Sequence, residues 1–331
     1  MKSFSYHELN PLIRLKEMEL LPAEMWERLI NARDLKEVKE LLQPTVYGEF
    51  LTADFAEDFE AALAKKQEHT IAELVTLAPE PEVVWIYTMR FTFHNLKALT
   101  KAELLNETFD ELFIPDGFYS LEQIKSAVKT GQGSGLPESI LTSIQEVKEH
   151  FEESDQLQGI DIIYDRTFLR CQKQVSDALG YPELAAEVAS FIDLTNVIML
   201  GRGIKQKRSR AFMSTVLSSS GTLAKAELLD YAEEPLEAFS TFVLTTPYGE
   251  IIAPAITTGD LDLALLEKVR DDHLTQLFEA AQVQAFGPLP LLAYLNAQDN
   301  EIKNLRLITV GKRIGLAPER LRERMRQSYD T

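Results

Sequence analysis

A chain of 331 residues, 45% apolar and 26% charged, has the balance of an ordinary globular protein with room for more than one packed core. Its single cysteine excludes an intrachain disulfide, and a net charge of −18 disfavours nucleic acid and anionic lipid surfaces as partners. With only 15 glycines and 14 prolines among abundant Leu, Ala, Glu and Lys, the composition favours helix.

In chain order, Met1–His7 lacks an apolar core segment, so no signal peptide is expected. Pro22 suits the first turn of a helix, and Pro44 marks a break before Tyr47-Gly-Glu49. Trp85, Tyr87, Met89, Phe91 and Phe93 alternate, which taken alone is a strand pattern. Ser120-Leu-Glu-Gln123 is a capping box that opens a helix. Thr130–Pro137 is the glycine-rich stretch expected to be a flexible loop. Cys171, in Phe168-Leu-Arg-Cys-Gln, reads as a core thiol on a helix. Leu184, Val188, Phe191, Ile192, Thr195 (by its methyl) and Met199 fall at helical spacing of three and four, and Leu291, Leu295, Ile302, Leu305 and Ile308 make a similar stripe. A second break falls at Thr245–Glu250, and Pro318 suits another helix start. No uninterrupted apolar run approaches the roughly 18 residues needed to cross a bilayer; Val83–Tyr87 and Pro288–Leu295 are the longest.

A repeat runs through these elements. Asn95, Asn196 and Asn304 each sit in one frame: apolar, any residue, Asn, apolar, then apolar again four after the Asn. Asn31 fits the frame too and breaks the spacing. Two further echoes accompany the three. Tyr47-Gly-Glu49 recurs as Tyr248-Gly-Glu250, and Asp165 and Asp272 precede Asn196 and Asn304 by nearly equal intervals. The repeat predicts three pseudo-equivalent helical-bundle lobes: residues 1–130, 137–245 and 246–331, with 131–136 as a loop. It also decides the alternating stretch before Asn95, which is read as helix because helical stripes precede the other two asparagines.

No catalytic constellation stands out. His7, His69, His94, His150 and His273 form no local pair of metal ligands, and no cysteine pair assists. Gly131-Gln-Gly-Ser-Gly135 lacks the Lys-Ser/Thr of a phosphate-binding loop, and Gly201-Arg-Gly203 fails the dinucleotide pattern. Carboxylate pairs such as Glu57-Asp58 are expected by chance among 52 acids. No catalytic residue, metal or cofactor is assigned. Basic residues do cluster after the repeat asparagines: Arg202, Lys205, Lys207, Arg208 and Arg210 after Asn196, and Lys312, Arg313 and Arg320–Arg326 after Asn304. They complement the C-terminal ends of helix dipoles, or they are repeated spots that meet acidic partner surfaces. Arg202, Lys205, Arg208, Lys312 and Arg313 are the candidate partner contacts. Tyr47, Asn95, Asn196, Tyr248 and Asn304 are assigned structural roles.

Phe93-His-Asn-Leu-Lys, Gly159-Ile-Asp-Ile-Ile-Tyr-Asp-Arg-Thr-Phe168, Ile192-Asp-Leu-Thr-Asn-Val197 and Glu301–Gly315 together resemble the C subunits of the bacterial and archaeal V-type (A-type) ATPases, whose homologue in the eukaryotic V-ATPase is the d subunit. Tyr6–Leu21 is similar as well, so the resemblance covers nearly the whole chain. Phe93 stands where the family has Tyr, and the Gly131–Gly135 loop has no family counterpart. The resemblance implies an all-α funnel with pseudo-three-fold symmetry. It implies a non-catalytic socket in the central stalk, one copy per complex, between the D and F shaft subunits and the membrane proteolipid (c/K) ring. ATP hydrolysis elsewhere would turn it and drive H⁺ or Na⁺ transport, or the reverse for ATP synthesis. Membrane association would be indirect, on the cytoplasmic side. A generic helical scaffold and an all-α enzyme using dispersed acids are the competing readings.

Overall fold

The computed structural model describes residues 5–133, 135–154, 156–257, 260–278, 281 and 283–328. Sixteen α-helices are seen among them. The first five are α1 (Tyr6–Glu17), α2 (Ala23–Asn31), α3 (Leu35–Leu42), α4 (Phe55–Leu77) and α5 (Pro81–Leu105). Next come α6 (Leu121–Thr130), α7 (Glu138–Ser154), α8 (Leu157–Leu179), α9 (Pro182–Lys205), α10 (Arg210–Val216), α11 (Lys225–Asp230) and α12 (Leu236–Leu244). The last are α13 (Gly249–Ile252), α14 (Leu263–Leu277), α15 (Leu289–Arg313) and α16 (Pro318–Arg324). Ile256–Thr257 pairs antiparallel with Asp260–Leu261, the one strand pair among the described residues. The all-α expectation holds.

By packing, the chain falls into two compact units: residues 1–84 with 247–331, and residues 85–246. In the first, Trp26, Leu29, Val38, Leu42, Phe55, Phe59 and Leu63 close over Ile302, Leu305 and Ile308 of α15. In the second, Met89, Phe93 and Leu96 of α5 pack with Ile124, Ile144, Ile160 and Tyr164. Residues 131–133 lie in the second unit, where Gly131 caps α6 in the left-handed conformation (φ 71°) and Leu136 is buried.

The alternating stretch before Asn95 is helical. Val83, Val84, Trp85 and Ile86 are all buried, as are Met89 and Phe93, so α5 is covered on more than one face. A helix buried nearly all round loses the single stripe by which periodicity identifies it. The same holds for α9. Its 18-residue window of mean hydropathy 1.5 makes it long and apolar enough to cross a membrane by length and composition. Counting uninterrupted apolar runs missed this, because Glu187 and Asp193 interrupt the run. In the fold, 61% of that window is buried within the protein. The capping box at Ser120 and Gln123 forms as expected, and Pro182 and Pro318 occupy first turns; Pro22 is the residue just before one.

Candidate docking surfaces

The three asparagines do the same mechanical work. Asn95 donates its Nδ2 to the Ile114 carbonyl (2.7 Å) and accepts from the Ile114 N–H (2.8 Å). Asn196 grips Ser218 through the same pair of bonds, both 2.9 Å. Asn304 grips Arg326 at 3.0 and 2.9 Å. A carboxamide has one acceptor and one donor side, so it can satisfy both polar groups of one peptide residue. Each clamp therefore pins a returning segment to the flank of a long helix, of 25, 24 and 25 residues respectively. Asn31 is different. It lies exposed at the end of α2, donates to the Glu27 carbonyl of its own turn (2.7 Å) and accepts from the Arg322 guanidinium (3.2 Å), so it grips no single peptide residue. The frame alone does not make a clamp.

The register extends well beyond the asparagines. Pro81, Pro182 and Pro290 each stand fourteen residues before the Asn. Three residues before it stand Thr92, Asp193 and Glu301, all buried and all hydrogen-bonded. Eleven residues after it, Asn106, Lys207 and Gly315 each adopt a left-handed conformation, with φ 54°, 54° and 73°. The next residue then bonds back to the carbonyl seven after the Asn: Glu107 to Ala102 (2.8 Å), Arg208 to Gly203 (2.9 Å), Leu316 to Gly311 (2.8 Å). This is the Schellman closure of a helix. After it, α10 and α16 begin at equivalent positions and run seven residues each, whereas the first copy keeps a single 3-10 turn at Asp110–Leu112. One helical turn fewer explains why its clamp reaches Ile114, three positions earlier than in the other copies.

Small residues at the elbow are required by contact. A Cβ at Gly203 would lie 2.3 Å from Met213 Sδ, and one at Gly311 would lie 2.5 Å from Leu321 Cδ2. Met213 and Leu321 occupy equivalent positions and are fully buried. Tyr47 and Tyr248 also correspond. Each precedes a short helical Gly-Glu turn, and the threonine two before it bonds the carbonyl three before that, Thr45 to Leu42 and Thr246 to Val243, both 2.7 Å. The aspartate echo does not hold. Asp165 pairs with Lys97, whereas Asp272 pairs with Lys268 (2.6 Å).

The candidate contact residues divide into two kinds. Arg202, Lys205 and Arg208 are exposed at the end of α9, and Arg208 lies over the Phe212 ring at 4.9 Å. Lys312 and Arg313 are engaged inside their own unit. Lys312 donates to the Ile30 carbonyl at the end of α2, and burial lowers its pKa. Arg313 donates to the Ala56 carbonyl and lies 4.9 Å from the centre of the Phe59 ring. Of the histidines, His94 is exposed and donates Nε2 to the Leu112 carbonyl (2.9 Å). Cys171 is buried beside Ser139, and burial raises its pKa. Among the described residues no group of three or more His, Cys, Asp or Glu is arranged to hold a metal ion.

Six acids are buried among the described residues, Glu17, Asp116, Glu187, Asp193, Asp271 and Glu301, none of them foreseen from sequence, and the last two each gather partners from several segments. Glu301 accepts from the Tyr47 hydroxyl (2.6 Å) and the Leu21 N–H (2.7 Å), tying α15 to two loops. Burial pushes its carboxyl up to about 7, against the Tyr47 and Leu21 hydrogen bonds and the charge of Lys66. Asp271, on α14, is 3% exposed and meets Lys303 (2.9 Å), Arg270 (3.0 Å) and Arg326 (2.8 Å). Burial alone would raise its pKa; the Lys303 and Arg270 charges, with the Arg326 and Lys303 hydrogen bonds, outweigh it and hold the pKa at about 2. The only signal in sequence was position: Glu301 stands three before a repeat asparagine, where Thr92 and Asp193 are also polar.

The chain matches the ATP synthase (C/AC39) subunit family over residues 9–324. It is 50% identical to the C subunit of the V-type sodium ATPase of Enterococcus hirae over 325 residues, 98% of this chain and 99% of that one. It is 25% identical to the C subunit of the A-type ATP synthase of Methanocaldococcus jannaschii, over 96% of this chain and 85% of that one. A similar 25% is shared with the corresponding A-type protein from a Desulfurococcus species, over 96% and 90%. With a family match over residues 9–324 and 50% identity to a relative across nearly the whole of both chains, the chain belongs to the C subunits of the V- and A-type ATPases.

Proposed function

We propose that this chain is the non-catalytic central-stalk socket of a V-type ATPase. It seats the tip of the rotating D/F shaft and passes torque to the proteolipid ring, on the cytoplasmic side, for H⁺ or Na⁺ transport. The observation that carries this reading is the register of three clamped elbows. Three helices of nearly equal length, each clamped on its flank by the same two hydrogen bonds and closed at its end by the same backbone bond, support a reading as three equivalent lobes about an axis. We take these lobes to be residues 1–130, 137–245 and 246–331, joined as a funnel. Interiors packed at crystal-like density transmit strain rather than absorb it, as a torque coupler requires. The sodium transport named for the Enterococcus relative supports Na⁺ as the first ion to test.

The test is assembly. The full chain is mixed with purified D and F proteins and, separately, with detergent-solubilised proteolipid ring, and co-elution is measured. Binding to both is expected; binding to neither refutes the reading. Reversing Arg202 and Lys205 to Glu is expected to weaken assembly while leaving the thermal unfolding of the isolated chain unchanged. Unaltered affinity in that variant leaves these cations only their role at the end of the α9 dipole.

A further inference from the structure

The three elbows share a backbone and differ in charge. At the first, a pocket of about 400 Å³ is lined by Glu103, Glu107, Asp110 and Glu122 together with Lys129 and with Lys125, which pairs with Asp110 (2.8 Å). At the second, a pocket of about 640 Å³ is lined by Lys205, Lys207 and Arg208, with Ile204, Ala232 and Leu236 among its apolar walls. At the third, Lys312 and Arg313 are turned onto backbone carbonyls of their own unit. The exposed Arg320 and Arg322 that follow on α16 pair with Glu323 and Glu27 (both 2.9 Å), so of these two elbow pockets it is the one at the middle copy that holds more cations than acids, in a chain whose net charge is −18.

Lys207 is the informative residue. Its equivalents are Asn106 and Gly315, the residue types that tolerate a left-handed conformation. Lysine at φ 54° is disfavoured there, and its exposed side chain makes no ion pair or hydrogen bond among the described residues. Nothing in the packing needs it. A residue held in a costly conformation without a structural return points to a role outside the chain.

We propose that the pocket between the end of α9 and the start of α12, with Lys207 at its rim, is the docking site for an acidic segment of another protein of the same ATPase. The apolar walls take the side chains between the acids. Glu234, and Glu233 that accepts from the Arg210 N–H (3.0 Å), also line the pocket and repel a uniformly anionic surface, so a peptide of mixed character fits where a bilayer does not. Because the first elbow carries the opposite sign, such a segment distinguishes the lobes and fixes which one it meets. The proposal rests on the function above only in drawing its partner from the same complex.

The experiment uses the full chain and the remaining ATPase complex stripped of this chain, in detergent. Binding is measured at several salt concentrations for the wild type, Lys207→Gly, Lys207→Arg and Lys207→Glu. Lys207→Gly is expected to raise the melting temperature by about 2–4 °C and to weaken binding roughly five- to tenfold at low salt. Lys207→Arg keeps wild-type affinity, and Lys207→Glu is weaker than glycine. Unchanged affinity in Lys207→Gly, with the wild type binding normally, overturns this inference and leaves the socket reading standing. A lowered melting temperature in Lys207→Gly overturns it as well, because the lysine then serves the fold. Lys207-dependent sedimentation with phosphatidylserine vesicles replaces the acidic peptide with a lipid headgroup and also overturns it. Failure of the wild type to bind the stripped complex overturns both readings.

Discussion

Replacing Asn196 by Ala removes both bonds of the middle clamp at once. Asn196 is fully buried and Ser218 is 1% exposed, so water cannot reach the groups left behind. A buried backbone N–H or C=O without a partner costs about 1–3 kcal/mol, so the orphaned pair on Ser218 costs about 2–5 kcal/mol. The same change at Asn95 or Asn304 orphans groups on Ile114 and Arg326, which are only half-buried. Water then replaces part of the loss, and about 1–2 kcal/mol is expected. The ranking is therefore the prediction: Asn196→Ala well below the other two. Thermal unfolding of the full chain should register a drop on the order of 10 °C for Asn196→Ala. Hydrogen exchange should report faster exchange of the Ser218 amide in that variant, with the Arg326 amide unaffected. The reasoning is refuted by a loss under about 0.5 kcal/mol for Asn196→Ala, or by Asn304→Ala being the more damaging. It is also refuted if the Ser218 amide keeps wild-type protection, because the clamp would then not be what holds that segment.

Three further outcomes are expected. Asp271 has a folded-state pKa of about 2, below its unfolded value, so its ion pairs contribute stability above the unfolded value that is lost as pH falls toward 2. Asp271→Asn should be less stable than wild type at pH 7, with the gap closing in urea titrations at pH 2. For Glu301 the sign is opposite. Its folded pKa is raised to about 7, so the cost of its burial appears as pH rises from the ordinary carboxylate range through 7. Tyr47→Phe deletes the hydroxyl that holds this pKa down, so the variant should lose more stability than wild type between pH 5 and pH 8; equal losses would show that the hydroxyl does not govern Glu301. Gly311→Ala forces a Cβ against fully buried Leu321 and should cost about 1–3 kcal/mol. Gly203→Ala meets the flexible Met213 thioether and should cost less, measured by the same denaturation.

The repeat was legible because it is written in residues whose chemistry leaves few substitutes. A clamp needs a carboxamide, a tight elbow needs a small residue, and a helix start tolerates proline; each recurs at fixed distance from Asn95, Asn196 and Asn304. The alternating run before Asn95 shows the value of that regularity, since its local pattern favours strand and its place in the repeat favours the helix that forms. The basic residues were legible as positions and illegible as roles. Arg208 and Lys312 both follow a repeat asparagine closely, yet Arg208 is exposed over Phe212 and Lys312 is turned onto the Ile30 carbonyl. Only the neighbouring helix, α2, decides the second case.

By itself, then, the sequence determined the helical class, the family and the even spacing of the three asparagines, because these depend on local chemistry and short spacings; the prolines before them and the elbows after them joined that register only once the backbone was seen. The tertiary structure alone decided which carboxylates are buried and what meets them. Asp271 and its neighbour Asp272 are indistinguishable in sequence, and only the approach of Lys303 and Arg326 from other segments makes one a buried ion-pair centre. It also decided that the three elbows differ in charge while sharing a backbone: the groups around each come from segments the chain brings together across long separations, which no local spacing encodes.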